Sequence, residues 1–193
     1  MARPKAYDRE KVLDAATEIF WRKGYNAASL ADLVAATGLN KHSMYKEFGS
    51  KAGLFAACLD HYAATAWQKL GKILKREPLG LENIRAFFAE RIQYTCSEDY
   101  KSCLTLKATV GINLLESNAV ERLAVHEKVF KQAFWDCLQA AIDNGELPKG
   151  KDPALLTDFL LNNIRGMLVS AELSKDEDRA RKIVELVMGT LES

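Results

Sequence analysis

Apolar residues recur along this chain at three- and four-residue intervals, and no stretch alternates strictly between apolar and polar. The pattern predicts an all-α protein of about nine helices. Val12, Leu13, Ala16, Ile19 and Phe20 form the stripe of an amphipathic helix. Asp8 can cap it, and Gly24 ends it after about Lys23. Ser29 opens a second helix, with Asp32 placed to reach back as in a capping box and Leu30, Leu33 and Val34 inward. Gly38 makes a turn plugged by Leu39. Asn40 caps a third helix, whose buried side is Met44 and Phe48. Ser50 caps a longer fourth, with Leu54, Phe55, Cys58, Leu59 and Tyr62 on its apolar face. Pro78 and Gly80 break the chain in the segment KREPLG. Helical patterns then cover 81–96, 103–115, 118–143, 153–173 and 176–191, with Pro153 tolerated in a first turn.

The stretch 29–51, SLADLVAATGLNKHSMYKEFGSK, carries the most information. Two short helices flank a Gly-Leu break, and the second is nearly all polar and cationic. A helix too short and too polar to bury itself, fixed by its neighbours, is what a helix-turn-helix offers the major groove of duplex DNA. Positions 42, 45, 46 and 49 share a side, with 41 beside them. Lys41 and Lys46 can donate to guanine O6 or N7. His42 and Ser43 can reach base edges or phosphate, although His42 is equally a plain surface residue. Tyr45 presents a phenol to a phosphate oxygen or joins the core. The free N–H groups at Ser50 and Lys51, with a cation beside them, favour an anion, and Ser29 offers the same at the second helix. Glu47 either forms a pair on the helix or accepts from cytosine N4. Arg3 and Lys5 can follow the backbone or enter the minor groove.

Charge agrees with this reading. The 193 residues carry a formal net charge of only +1, yet residues 1–51 hold nine Lys/Arg against six Asp/Glu. That excess is modest, so affinity has to come from placed contacts and from two heads acting together. The hydrophobic content of 48% supports a core. Cys58, Cys96, Cys103 and Cys137 make no Cys-x-x-Cys pair. With no secretory leader and no long apolar run, reduced thiols, a cytoplasmic location and no membrane partner are expected. A thiol switch at Cys96 and Cys103 is one reading, and idle cysteines another. His61 and His126 could ligate metal only if the fold joined them to a thiol or carboxylate. No phosphate loop, nucleophile elbow or metal spacing appears, so neither catalysis nor a cofactor is expected. The rival readings are an enzyme on a helical scaffold and a helical module whose head binds protein.

The ordered set from 16–25 (ATEIFWRKGY) through 29–36, Thr37-Gly38-Leu39 and 43–55 (SMYKEFGSKAGLF) resembles the N-terminal domain of the tetracycline-repressor (TetR) family of bacterial regulators. The likeness covers about a quarter of the chain. It implies that Tyr45 and Lys51 match phosphate-holding positions and that Lys41, His42 and Lys46 match variable base-reading ones. Gly53 departs from the family, which often has an acidic residue or alanine there; glycine weakens a first turn. The resemblance also implies a division into a DNA-binding domain, 1–50, and an effector-binding and dimerisation domain, 51–193. The protein would then be a ligand-responsive regulator, a repressor by expectation, binding a pseudo-palindromic operator as a homodimer and released by a small molecule.

The C-terminal portion adds independent support. The 153–173 helix is apolar nearly all round, and such a helix must be covered on every side; a second subunit is the natural cover for one of them, and a monomeric helical core is the alternative. Phe159, Asn163, Gly166 and Met167, with Ile183, Val184, Val187, Met188 and Leu191 of the last helix, are the expected dimer face. Trp67, Phe88, Tyr94, Trp135 and Asn163 are the candidate effector-pocket residues, each also readable as ordinary core.

Overall fold

The computed structural model describes residues 7–193. Arg3 and Lys5 lie outside the described residues. The described chain is helical throughout, without strands. The elements are α1 (Arg9–Ala27), α2 (Leu30–Thr37), α3 (Lys41–Phe48), α4 (Lys51–Leu74), α5 (Leu81–Cys96), α6 (Leu104–Val110), a short 3-10 turn (Ile112–Leu114), α7 (Ser117–Asp143), α8 (Pro153–Ser170) and α9 (Glu177–Glu192).

The caps follow from local chemistry. Asp8 accepts from the Glu10 backbone N–H at 3.0 Å, and Asn40 accepts from that of Ser43 at 2.8 Å. Gly38 takes φ 68° and ψ 1°, the left-handed conformation where a missing Cβ removes the steric cost. Gly24, at φ 75° and ψ 169°, interrupts α1, so the regular helix stops at Lys23 although the helical turn resumes beyond it. The expected 103–115 helix is shorter than its pattern. It ends at Val110, after two β-branched residues, and Gly111 leaves the helical region.

The chain divides into two compact units, 1–65 with 104–126, and 66–103 with 127–193. In the first unit Leu13, Ala16 and Phe20 of α1 meet Leu33 of α2, Met44 of α3 and Leu54, Phe55, Cys58 and Leu59 of α4. Leu104 and Ala108 of α6 and Ala119 and Leu123 of α7 complete this core. Phe20 and Phe55 pack edge-on at 4.8 Å, and each such fully buried ring contributes about 1.5–3 kcal/mol. Two neighbouring residues of α4 bind opposite partners. Asp60 accepts from His126 Nε2 of α7 at 2.9 Å, with Arg122 at 3.5 Å, while His61 Nε2 bonds Asp14 of α1 at 2.7 Å.

In the second unit Phe87 and Phe134 pack edge-on at 4.9 Å. Leu160, Leu161, Ile164, Val187, Met188 and Leu191 are buried in the same unit. Asn83 fixes the start of α5: its amide donates to the carbonyls of Ile73 and Arg76 and its oxygen accepts from the Gly80 N–H.

Candidate nucleic-acid interface

The candidate reading helix, α3, is built from its buried side. Met44 is buried and Phe48 packs on the same core, which leaves the opposite edge to solvent. Lys41, His42, Tyr45, Lys46 and Gly49 are all exposed there. Lys41, His42 and Lys46 form no ion pair among the described residues; Lys41 only lies over the Tyr45 ring, 5.9 Å from its centroid. Tyr45 is therefore a surface phenol rather than a core ring. Ser43 is half-buried, its backbone N–H already capped by Asn40. This edge holds donors of three chemical types, and none makes a hydrogen bond or ion pair among the described residues.

The flanking phosphate candidates divide. Ser50 is exposed; its hydroxyl oxygen accepts from the Gly53 N–H at 3.0 Å, leaving its own hydrogen to donate. Ser29 differs, because its only hydroxyl hydrogen is given to Asp32 Oδ2 at 2.7 Å while its oxygen accepts from the Asp32 N–H. No hydrogen remains on that side chain for a phosphate. Asp32 also receives the Lys23 ammonium at 2.6 Å. That hydrogen bond, with those from Ser29, holds its carboxyl at about 2.

Lys51 is not a freely displayed cation either. Its ammonium donates to the Asn26 carbonyl at 3.2 Å and sits 4.8 Å above the Tyr25 ring. Burial lowers its pKa. The Tyr25 phenol in turn donates to Glu116 at 3.2 Å. The expected phosphate contact is thus also a structural brace, and Asn26 and Glu116 are partners that no sequence pattern revealed. Glu47 faces the start of α1, where Arg9 lies at 3.5 Å and Tyr7 hydrogen-bonds it.

A glycine that the sequence marked as a weakness turns out to be required. A Cβ on Gly53 would stand 1.9 Å from the Phe48 carbonyl oxygen, so the chain reversal between α3 and α4 closes only without a side chain.

In the second unit, a cavity of about 580 Å³ opens among α5, α8 and α9. Phe88 and Asn163 line it, as do Thr95, Cys96, Met167 and Arg179. Trp67, Tyr94 and Trp135 do not, and the reasons are local. Trp67 packs edge-on against Phe130 at 5.1 Å, the Tyr94 hydroxyl donates to the Lys101 carbonyl, and Trp135 lies at the surface. The expected dimer face also splits. Val187, Met188 and Leu191 are buried in their own protomer's core, so they cannot be offered to a partner. Phe159, Asn163, Met167 and Val184 are half-buried, and Gly166 and Ile183 are exposed. Leu155, Val169, Leu173 and Leu186, absent from that expectation, are exposed apolar residues of the same region. Residues 155, 159, 162, 166 and 169 fall on one stripe of α8, which the spacing alone could have shown, and Leu173 follows in the turn after it.

All four cysteines are free thiols, and Cys58 and Cys137 are pushed up to about 12 by burial. His61 and His126 go to separate carboxylates. No group of three metal-ligating side chains comes together among the described residues. Among them, too, no helix is long and apolar enough to cross a membrane.

A capped two-helix turn displaying an uncommitted cationic edge defines a helix-turn-helix regulator. Comparison with known proteins gives the same class. Residues 12–58 match the family described as bacterial regulatory proteins, tetR family, and 80–187 match the tetracyclin repressor-like C-terminal domain. The chain belongs to the TetR family of transcriptional regulators. It is 37% identical over 179 residues to the HTH-type transcriptional repressor ComR of Escherichia coli K12, covering 88% of this chain and 81% of ComR. It is similar in structure to the regulator CifR, solved with a 26-bp double-strand operator DNA, with TM-score 0.79 and 26% identity over 96% of this chain and 97% of that one. The reduced form of E. coli NemR, at 19% identity, shares the fold with TM-score 0.82 over 93% of this chain and 94% of that one.

Proposed function

We propose that this protein represses transcription as a homodimer, placing two copies of α3 in successive major grooves of a pseudo-palindromic operator, about 34–36 Å apart or slightly more. The observation that carries the reading is the free edge formed by Lys41, His42 and Lys46, held outward by Met44 and Phe48 beneath it. Base recognition is assigned to these three residues, and phosphate contact to Tyr45, Ser43 and Ser50. Lys51 contributes positive potential from its braced position. The operator complex of CifR supports duplex DNA as the partner. Residues 1–50 act as the DNA-binding domain and 51–193 as the effector-binding and dimerisation domain. The role is one of binding rather than catalysis, exercised in the cytoplasm.

The dimer face assigned here is the exposed stripe of α8 with Ile183 and Leu186 of α9. Leu173 and Leu186 are 89% and 73% exposed, a poor state for leucines unless a second copy covers them. The effector site assigned here is the cavity lined by Phe88, Cys96 and Asn163, whose volume suits a small molecule; Asn162, Gly166, Leu173 and Ile183 line it too, so it shares a wall with the dimer face. A released state requires that the effector bind the non-binding conformer more tightly, since equal affinity shifts nothing.

The test is fluorescence anisotropy with the DNA flanking the protein's own gene and with a scrambled duplex, across a salt series. The expected result is a salt-sensitive complex with a clear preference for the native duplex, lost in Lys41→Ala with Lys46→Ala. Equal affinity for both duplexes overturns operator reading.

A further inference from the structure

Residues 20–27 at the end of α1 and 104–115 of α6 and the following turn enclose an open cleft of about 390 Å³. It shares no residue with the cavity lined by Cys96 and Asn163. Tyr25, Leu114 and Leu115 give it an apolar wall, with the buried Phe20, Phe55 and Leu104 beneath. Arg22 and Lys107 line it as well, both exposed, and neither makes an ion pair or hydrogen bond among the described residues. Lys23, the third cation there, is neutralised by Asp32. No carboxylate lines the cleft.

Two uncompensated positive charges above an apolar floor select the occupant by elimination. A cation is repelled, and a neutral apolar molecule leaves both charges unanswered. An anion with an apolar body satisfies both features. At roughly 30 Å³ per water-sized group the cleft holds about thirteen such groups, the bulk of a carboxylic acid of about ten carbons. We propose that this cleft is a binding site for a small amphipathic carboxylate, its body against Tyr25, Leu114 and Leu115 and its head group on Arg22 and Lys107. Tyr25 forms part of the wall, and the same ring seats the Lys51 ammonium at the start of α4. An occupant therefore touches the foundation of the reading head directly.

Isothermal titration of the full chain with 4-phenylbutyrate, and with the uncharged 4-phenylbutanamide, tests the site. One acid should bind per chain, and the amide about tenfold more weakly or worse. Lys107→Glu and Arg22→Glu, surface changes whose folding is checked by circular dichroism, should each weaken the acid about tenfold. Arg179→Gln, in the other cavity, should leave it within about twofold. The indole N–H of Trp21, which lines the cleft, should shift in NMR spectra as the acid is added. Equal binding of acid and amide, loss with Arg179→Gln instead of Lys107→Glu, or no binding at millimolar acid overturns the proposal. None of these results bears on operator reading, which rests on α3.

Discussion

Replacing Gly53 by alanine sets two ordinary effects against each other at the joint that aims α3. Inside a helix, glycine to alanine is favourable by about 1 kcal/mol, because the chain loses less entropy on folding. Here the new Cβ would stand 1.9 Å from the Phe48 oxygen and 3.1 Å from its carbonyl carbon. Those are backbone atoms, so no side-chain rotation relieves the contact. The carbonyl must move by more than about 1 Å, and it already accepts from the Ser50 N–H at 2.9 Å. Losing that bond costs about 0.5–1.5 kcal/mol, and the shift adds about 1–3 kcal/mol as in other overpacked sites. The clash outweighs the propensity gain, and a net loss of about 1–3 kcal/mol is expected. A chain of this length then melts roughly 2–10 °C lower in scanning calorimetry. Gly189→Ala is the control: this glycine is helical, exposed and has nothing within 4 Å of its Cβ position, so it should gain about 0.5–1 kcal/mol. Phe48 anchors the reading helix, so Gly53→Ala should also weaken operator binding about tenfold under conditions where the protein is fully folded. A rise in melting temperature matching that of Gly189→Ala would refute the reasoning.

Lys46→Ala should lower the slope of log affinity against log salt by about one unit if it meets a phosphate, and relax preference at one operator position if it meets a base; an unchanged slope and preference count against its role. If the proposed dimer face is right, the wild type should sediment as a dimer and Leu186→Glu as a monomer with an intact helical spectrum, whereas Leu191→Ala, buried in its own protomer, should cost about 2–5 kcal/mol of stability. Asp32 has a folded value of about 2 against an ordinary 3.8, so the native state holds fewer protons in between. Its contribution is complete above about pH 4 and disappears as pH falls towards 2, and the stability gap between wild type and Asp32→Ala, read from urea midpoints, should close over that window.

The parts of the head that were legible in the sequence are those governed by neighbours a few residues away. Asp8, Ser29 and Asn40 cap their helices because a short acceptor side chain reaches only the next turn. Gly38 turns because a Cβ is costly there. What escaped depends on distant segments. Leu104, Ala108, Ala119 and Leu123 join the head's core from far along the chain, and Glu116 holds Tyr25 across 91 residues. Lys51 read as a phosphate hand because it stands at the free N–H groups of a helix start and matches a phosphate-holding position of the family; that the Asn26 carbonyl and the Tyr25 ring also hold it was not visible. On α9 the apolar stripe was visible, but hydrophobicity has no label for which of two partners it faces. Val187, Met188 and Leu191 turn inward while Ile183 and Leu186 turn out. Trp67, Tyr94 and Trp135 do not line the cavity beside Cys96; Trp67 meets Phe130 and the Tyr94 hydroxyl meets the Lys101 carbonyl.

Asp60 and His61 grip opposite neighbours from successive positions on one rod, as a shaft is keyed on two flats. Rolling α4 about its long axis would tear one key whichever way it turned, while sliding or swinging with both neighbours in tow breaks neither. Any motion of this part of α4 that keeps both pairs must carry the bonded ends of α1 and α7 along.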